Sequence, residues 1–161
     1  MGESGYADAV SAHYTAGDLG GKILASLRAA GKDTDTLQVD DLAQIDQLHS
    51  GGAQATRALI RRACLQLGMS VLDVGGGLGG PARLLAHDAA CTVTVLELSE
   101  EFCRVGEMLT GSVGLAGRVS FRQGNALEMP FPDGAFDVVW TQHATMNIAE
   151  KERLYREVYR V

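Results

Sequence analysis

Hydrophobic and polar positions change rhythm near Gly68. Before that point, apolar residues recur at three- and four-residue spacing, the period of an amphipathic helix. Residues 6–15 fit a short helix. Over residues 19–30, Leu19, Ile23, Leu24 and Leu27 share one face, and Gly31 follows as a stop. Polar residues 32–36 read as a loop. Residues 39–48 place Leu42, Ile45 and Leu48 at helical spacing before Ser50, Gly51 and Gly52 interrupt the chain. A long helix is then expected as far as Leu67, with Ala55, Leu59, Ile60 and Ala63 inward and Gly68 closing it.

After Gly68, short β-branched runs alternate with helical patterns. The expected strands are residues 70–74, 91–97, 119–123 and 136–140. The expected helices are residues 79–87, with Pro81 in the first turn; residues 99–110, capped by Ser99; and residues 150–159. Phe102 stands where a capping box needs Glu or Gln, so the Ser99 cap is a simple one. Strands alternating with helices predict an α/β fold, with parallel strands joined by right-handed crossovers.

The sharpest local signal is Val71 to Gly80, V-L-D-V-G-G-G-L-G-G. An apolar strand runs into a turn so bare of side chains that a ligand can lie against its backbone. Two templates fit. Gly75, Gly77 and Gly80 match the dinucleotide fingerprint, with Glu97 at the end of the second strand placed to bind a ribose. Asp73, Gly75, Gly77 and Gly79 match instead the first motif of the S-adenosylmethionine-dependent methyltransferases. A turn needed only for strand–helix packing is the third account.

Charge and cysteines narrow the setting. A net charge of −6 argues against a nucleic-acid or anionic-membrane binder, since phosphate attraction needs a basic face. Arg57, Arg61 and Arg62 are close in sequence but read as a solvated helix face. Cys64, Cys91 and Cys103 have no C-x-x-C spacing and are odd in number, which points to a reduced, cytoplasmic protein. No apolar run approaches the length of a membrane span. His13, His49, His87 and His143 show no metal-ligand spacing, so no metal is expected.

Three further features single out one template. Some seventy helical residues precede the first strand, unlike many dehydrogenase-type folds. Gly124-Asn125-Ala126 follows the third strand. Residues 130–139, P-F-P-D-G-A-F-D-V-V, lead into the fourth. With the glycine turn, these residues resemble the Rossmann-like, class I S-adenosylmethionine-dependent methyltransferases over residues 48–161. Within that family the chain looks most similar to small-molecule methyltransferases acting on glycine derivatives and other amines.

The resemblance implies a Rossmann-like parallel sheet in strand order 3-2-1-4 with helices on both faces, residues 69–161, beneath an N-terminal helical cap, residues 1–68. S-adenosylmethionine is the implied cofactor. Asp73, Gly75, Gly76 and Gly77 would face its methionine part, and Glu97 its ribose hydroxyls. Leu98, Asn125 and Ala126 would meet the adenine, and Thr141 would lie near the methionine end. Asn125 stands where the family usually has Asp; its amide oxygen can still accept from an amino group. Gln47, His49 and Gly51 are candidate pocket residues, with Tyr6 and Tyr14 as candidates for closing over it. His143, after the fourth strand, is the candidate catalytic residue, able to orient a small-molecule methyl acceptor or take its proton.

A complete domain of the resembled family has seven strands, so a form lacking the C-terminal strands is expected. Self-association through the exposed edge of the fourth strand then follows. Two alternatives remain at this point: an interaction or regulatory module that keeps the fold without chemistry, and an NAD-dependent oxidoreductase.

Overall fold

The structure, a computed structural model, describes residues 18–47 and 49–161. The helix expected at residues 6–15, with Tyr6, His13 and Tyr14, lies outside the described residues. The helices before the sheet are α1 (Leu19–Ala29), the single turn α2 (Ala43–Asp46) reached through a 3-10 turn (Val39–Leu42), and α3 (Gly52–Arg62). Then follow β1 (Ser70–Val74), α4 (Gly80–Asp88), β2 (Thr92–Glu97), α5 (Glu100–Ser112), β3 (Val119–Gln123), β4 (Val138–Trp140) and α6 (Lys151–Arg160).

All four strands are parallel, in the order β3-β2-β1-β4. β1 and β2 carry buried apolar residues on both faces, as a sheet covered on both sides requires. Val71, Val93 and Val95 pack with Ala82, Leu85 and Ala86 of α4. Leu72, Val74 and Leu96 face the other way, onto Leu154 of α6 and Met129. Val105 and Leu109 of α5 meet Ile23 and Leu27 of α1, Leu42 and Leu78. The helices ahead of the sheet therefore share its core, and Val39 and Ile60 join the cluster around Val71.

Two expected helices are corrected. Residues 39–48 do not form one helix: the 3-10 turn and α2 end at Asp46, and Gln47 turns away at φ −100°, ψ 57°. The cause is a buried ion pair that draws Asp46 inward. Its Oδ2 accepts from Arg83 Nη2 at 2.8 Å, with Arg83 wholly buried. Nη2 also donates to the Leu78 carbonyl, and Nη1 to Thr110 Oγ1 at 2.9 Å and the Gly106 carbonyl. One guanidinium thus joins α2, α4 and α5. Burial makes Arg83 easier to deprotonate than an ordinary arginine, and raises the Asp46 carboxyl against the attraction of Arg83.

The long helix also stops early. α3 ends at Arg62 and Cys64 takes a left-handed backbone at φ 51°. Its inward residues are Thr56 and Ile60, whereas Ala63 and Leu59 are exposed and Leu67 is 84% exposed. Arg57 explains the rotation, since it bridges Asp40 at 2.7 Å and Asp88 of α4 at 2.8 Å. β4 spans Val138–Trp140, starting two residues later than expected, and the Phe136 N–H, on the side away from β1, donates to the Val161 carbonyl. Asp137 closes the strand start, accepting from the Ser70 N–H and hydroxyl.

Ser99 caps α5 as expected, its Oγ accepting from the Phe102 N–H at 3.3 Å. Among the described residues, no helix is long and apolar enough to cross a membrane.

Candidate active site

The C-terminal ends of the strands converge around the glycine turn between β1 and α4, the edge where open α/β sheets take ligands. The Gly75 N–H donates to the Leu96 carbonyl at 2.8 Å, and the Gly124 N–H to the Glu97 carbonyl at 3.0 Å. Gly75 has φ 69°, and a side chain there would overlap the Ala144 methyl group. The loop after β4 therefore packs directly on the turn. Gly80, at the start of α4, leaves no room for a Cβ beside the Asp46 carbonyl and the Gln47 side chain. The loop after α2 thus closes the opposite flank.

Two carboxylates flank this turn, Asp73 in β1 and Glu97 at the end of β2. Asp73 is buried and its Oδ2 has no hydrogen-bond partner. Burial, helped by the nearby charge of Glu97, pushes its carboxyl up to about 7. A Cβ on Gly76 would stand 2.6 Å from that oxygen, so glycine keeps its approach open. Glu97 is half-buried; Oε2 accepts from the Gly77 N–H and Oε1 from the Ser99 N–H, each at 3.0 Å. Two backbone donors fix the carboxylate in place, and each oxygen keeps a lone pair for a hydroxyl.

The remaining expected residues line the same edge with differing commitments. Leu98 is half-buried, and its carbonyl accepts from Gln123 Nε2 at 3.2 Å, which ties the ends of β2 and β3. Asn125 is exposed, and its Oδ1 accepts from the Leu127 N–H at 2.9 Å, an Asx turn that sets the chain direction after β3. Ala126 is half-buried against the apolar cluster beneath the sheet. Thr141 donates to the Val74 carbonyl at 3.1 Å, pinning the loop after β4 to the end of β1. His143 follows in a left-handed backbone at φ 55° and is exposed. His49 is brought to it across the cleft: the two rings stack with centroids 5.4 Å apart.

Sequence reasoning missed two participants. Thr56 is fully buried, and its hydroxyl donates to Gln47 Oε1 at 3.1 Å. Arg83 anchors the residue before Gln47. A threonine on the inward face of a helix and an arginine two residues after a helix-opening proline are the only signals, and neither predicts a partner.

A methyltransferase domain family model matches residues 72–161, more than half of the chain. The chain is 34% identical over 121 residues to the methyltransferase GfsG of Streptomyces halstedii, covering 75% of this chain and 44% of that protein. The [4+2]-cyclase SpnF superimposes with a TM-score of 0.69 at 28% identity, covering 96% of this chain and 56% of that one. Phosphoethanolamine N-methyltransferase 2 of Haemonchus contortus, in complex with S-adenosyl-L-methionine, gives a TM-score of 0.68 at 26% identity, over 72% of this chain and 27% of that one. The chain belongs to the class I, Rossmann-like S-adenosylmethionine-dependent methyltransferases. Of the two templates for the glycine turn, the match decides for the methyltransferase motif over the dinucleotide one. The chain spans less than half the length of its GfsG relative.

The site suits that family's cofactor on its own chemistry. The cofactor carries a cationic amino group and a sulfonium, and the unpartnered Asp73 oxygen is a buried acceptor of matching sign. The bare turn admits close backbone approach, and Glu97 offers two acceptors to two ribose hydroxyls.

Proposed function

We propose that this chain carries the cofactor site of a methyltransferase acting on a small molecule, with an amine as the first acceptor class to test. The observation that carries the reading is the pair Asp73 and Glu97 at the glycine turn: one carboxylate buried without a partner, the other fixed by two backbone donors. When bound, S-adenosylmethionine supplies an electrophilic methyl group on a positive sulfur. The chain's residues do the rest. Asp73 and Gly75–Gly77 hold the methionine part, Glu97 the ribose, and Leu98, Asn125 and Ala126 the adenine. Thr141 keeps the β4 loop against the end of β1, near the methionine end. With the cofactor bound, a ring nitrogen of His143 would orient the acceptor and take the proton it sheds on methylation. Excluding water and aligning the acceptor supply most of the acceleration.

Within the first 68 residues, the described residues 18–47 and 49–68 act as a cap over this site, and residues 69–161 act as its cofactor-binding core. The likeness to an enzyme named for phosphoethanolamine N-methylation supports an amine acceptor. The cysteine pattern supports a cytoplasmic setting. The test is calorimetric titration of S-adenosylhomocysteine, beside Glu97→Ala, followed by methyl transfer to a panel of small amines, hydroxyls and carboxylates. The expected result is saturable binding, weakened at least about tenfold in the variant, since each lost hydrogen bond to a charged group costs about 1.5–3 kcal/mol. Binding without transfer to any acceptor would favour a non-methylating use of the fold, as the likeness to a protein named a cyclase supports. No binding by the folded chain would overturn the reading.

A further inference from the structure

The stacked imidazoles belong to unequal partners. His49 is tied down. Its Nε2 lies 3.0 Å from Gln47 Oε1 and 3.1 Å from Thr56 Oγ1. The Thr56 hydroxyl spends its one proton on Gln47 Oε1. With both neighbours then presenting acceptors, the network assigns the hydrogen to His49 Nε2. Thr56 and Gln47 are buried, and Gln47 packs against Gly80 in the residue after the Asp46–Arg83 pair. His49 therefore stands on a chain of contacts reaching the centre of the fold.

His143 has the opposite character. Its side chain is exposed and, among the described residues, makes the ring contact with His49 and no hydrogen bond. Its backbone is held, since Thr141 bonds to Val74 and Ala144 packs on Gly75. A non-glycine residue at φ 55° is costly, and such strain gathers at functional sites. Backbone placement leaves the ring free about its side-chain bonds. Its plane lies within 9° of the His49 ring.

We infer that His49 is a positioning residue: it is the platform on which the His143 imidazole stacks, holding that ring at the acceptor edge with both nitrogens open to a substrate. The inference rests on the methyl-transfer reading of this site. Stacking uses the ring faces and leaves the nitrogen-bearing edges free, which a hydrogen bond to His143 would not. The platform thus orients a proton acceptor without occupying it.

The test is NMR of the imidazole carbon-bound protons in the full chain, for the wild type, His49→Ala and His49→Phe, with and without S-adenosylhomocysteine. In the wild type the His143 protons are expected upfield of an unstacked histidine through ring-current shielding. His49→Ala moves them to unstacked positions; His49→Phe, which restores a ring but none of its nitrogens, keeps them shielded. In methyl-transfer assays His49→Ala lowers kcat roughly tenfold to a hundredfold with KM for the cofactor unchanged, and His49→Phe recovers most of it. Should His49→Ala not fold, Thr56→Val frees His49 while preserving shape, and the His143 signals shift or broaden. Unchanged His143 signals in a folded variant, or an unchanged kcat, overturn the inference. Absence of cofactor binding by the wild type fails the methyl-transfer reading instead, and the NMR comparison still decides whether His49 orients His143.

Discussion

Asp73 is a buried carboxylate with no cation beside it among the described residues. One oxygen is unpartnered, and Glu97 repels its charge, so it ionises only near about 7. A cationic ligand needs the ionised form, so affinity for S-adenosylhomocysteine should fall as pH drops below 7, approaching tenfold per unit. Titrations at pH 5.5, 6.5 and 7.5 check this, with Asp73→Asn expected to bind weakly and without that slope. The stability of the free chain moves the other way. The raised carboxyl makes its full contribution below the ordinary value of 3.8 and loses it as pH rises through about 7. Denaturant melts should show Asp73→Asn flattening that decline. The acidic residue and the glycines were legible because their spacing is local. The isolation of Asp73 was not, because it depends on which neighbours from β2 and the turn fold over it.

Among the elements, strands and the main helices were readable from period alone, while segments held by distant partners were not. The helix expected over residues 39–48 breaks because Asp46 answers to Arg83, 37 positions away in sequence. Helical spacing of Leu42, Ile45 and Leu48 carried no trace of that. Arg83→Ala should destabilise the chain by about 3–5 kcal/mol, since it leaves the Asp46 carboxylate buried and unpaired. Arg83→Ala with Asp46→Ala should cost less than the sum of the two, and urea melts of all three variants measure the difference. A second clamp closes the other face of the sheet. Arg160 donates to the Met129 and Phe131 carbonyls at 2.9 and 2.7 Å, with Glu157 beside it. The hydrogen bond from Arg160 holds the Glu157 carboxyl down to about 2. Its contribution is present above 4.5 and lost as pH falls through about 2. Glu157→Gln should therefore weaken the dependence of stability on acid in that window, read by thermal melts from pH 5 to 2.

The strand order was foreseen from the family resemblance, and each strand proved parallel. Among the described residues β4 pairs on one side alone, with β1. An open parallel edge offers unpaired N–H and C=O groups to another strand. The proposal that two copies meet there predicts concentration-dependent sedimentation at micromolar protein, abolished by Val138→Pro, which removes an N–H on the side away from β1. A monomer throughout would dismiss it.

The Asp46–Arg83 contact also sets an order of events. It links residues ahead of the sheet to a guanidinium that has no anchored position until α4 and α5 have met. The expectation is that residues 39–47 and 49–60 dock late in assembly and detach early in local opening. In native-state hydrogen exchange, amides of α3 should open together at a free energy below that of β1 and β2. S-adenosylhomocysteine bound at the glycine turn, which the loop after α2 flanks, should slow the exchange of α3.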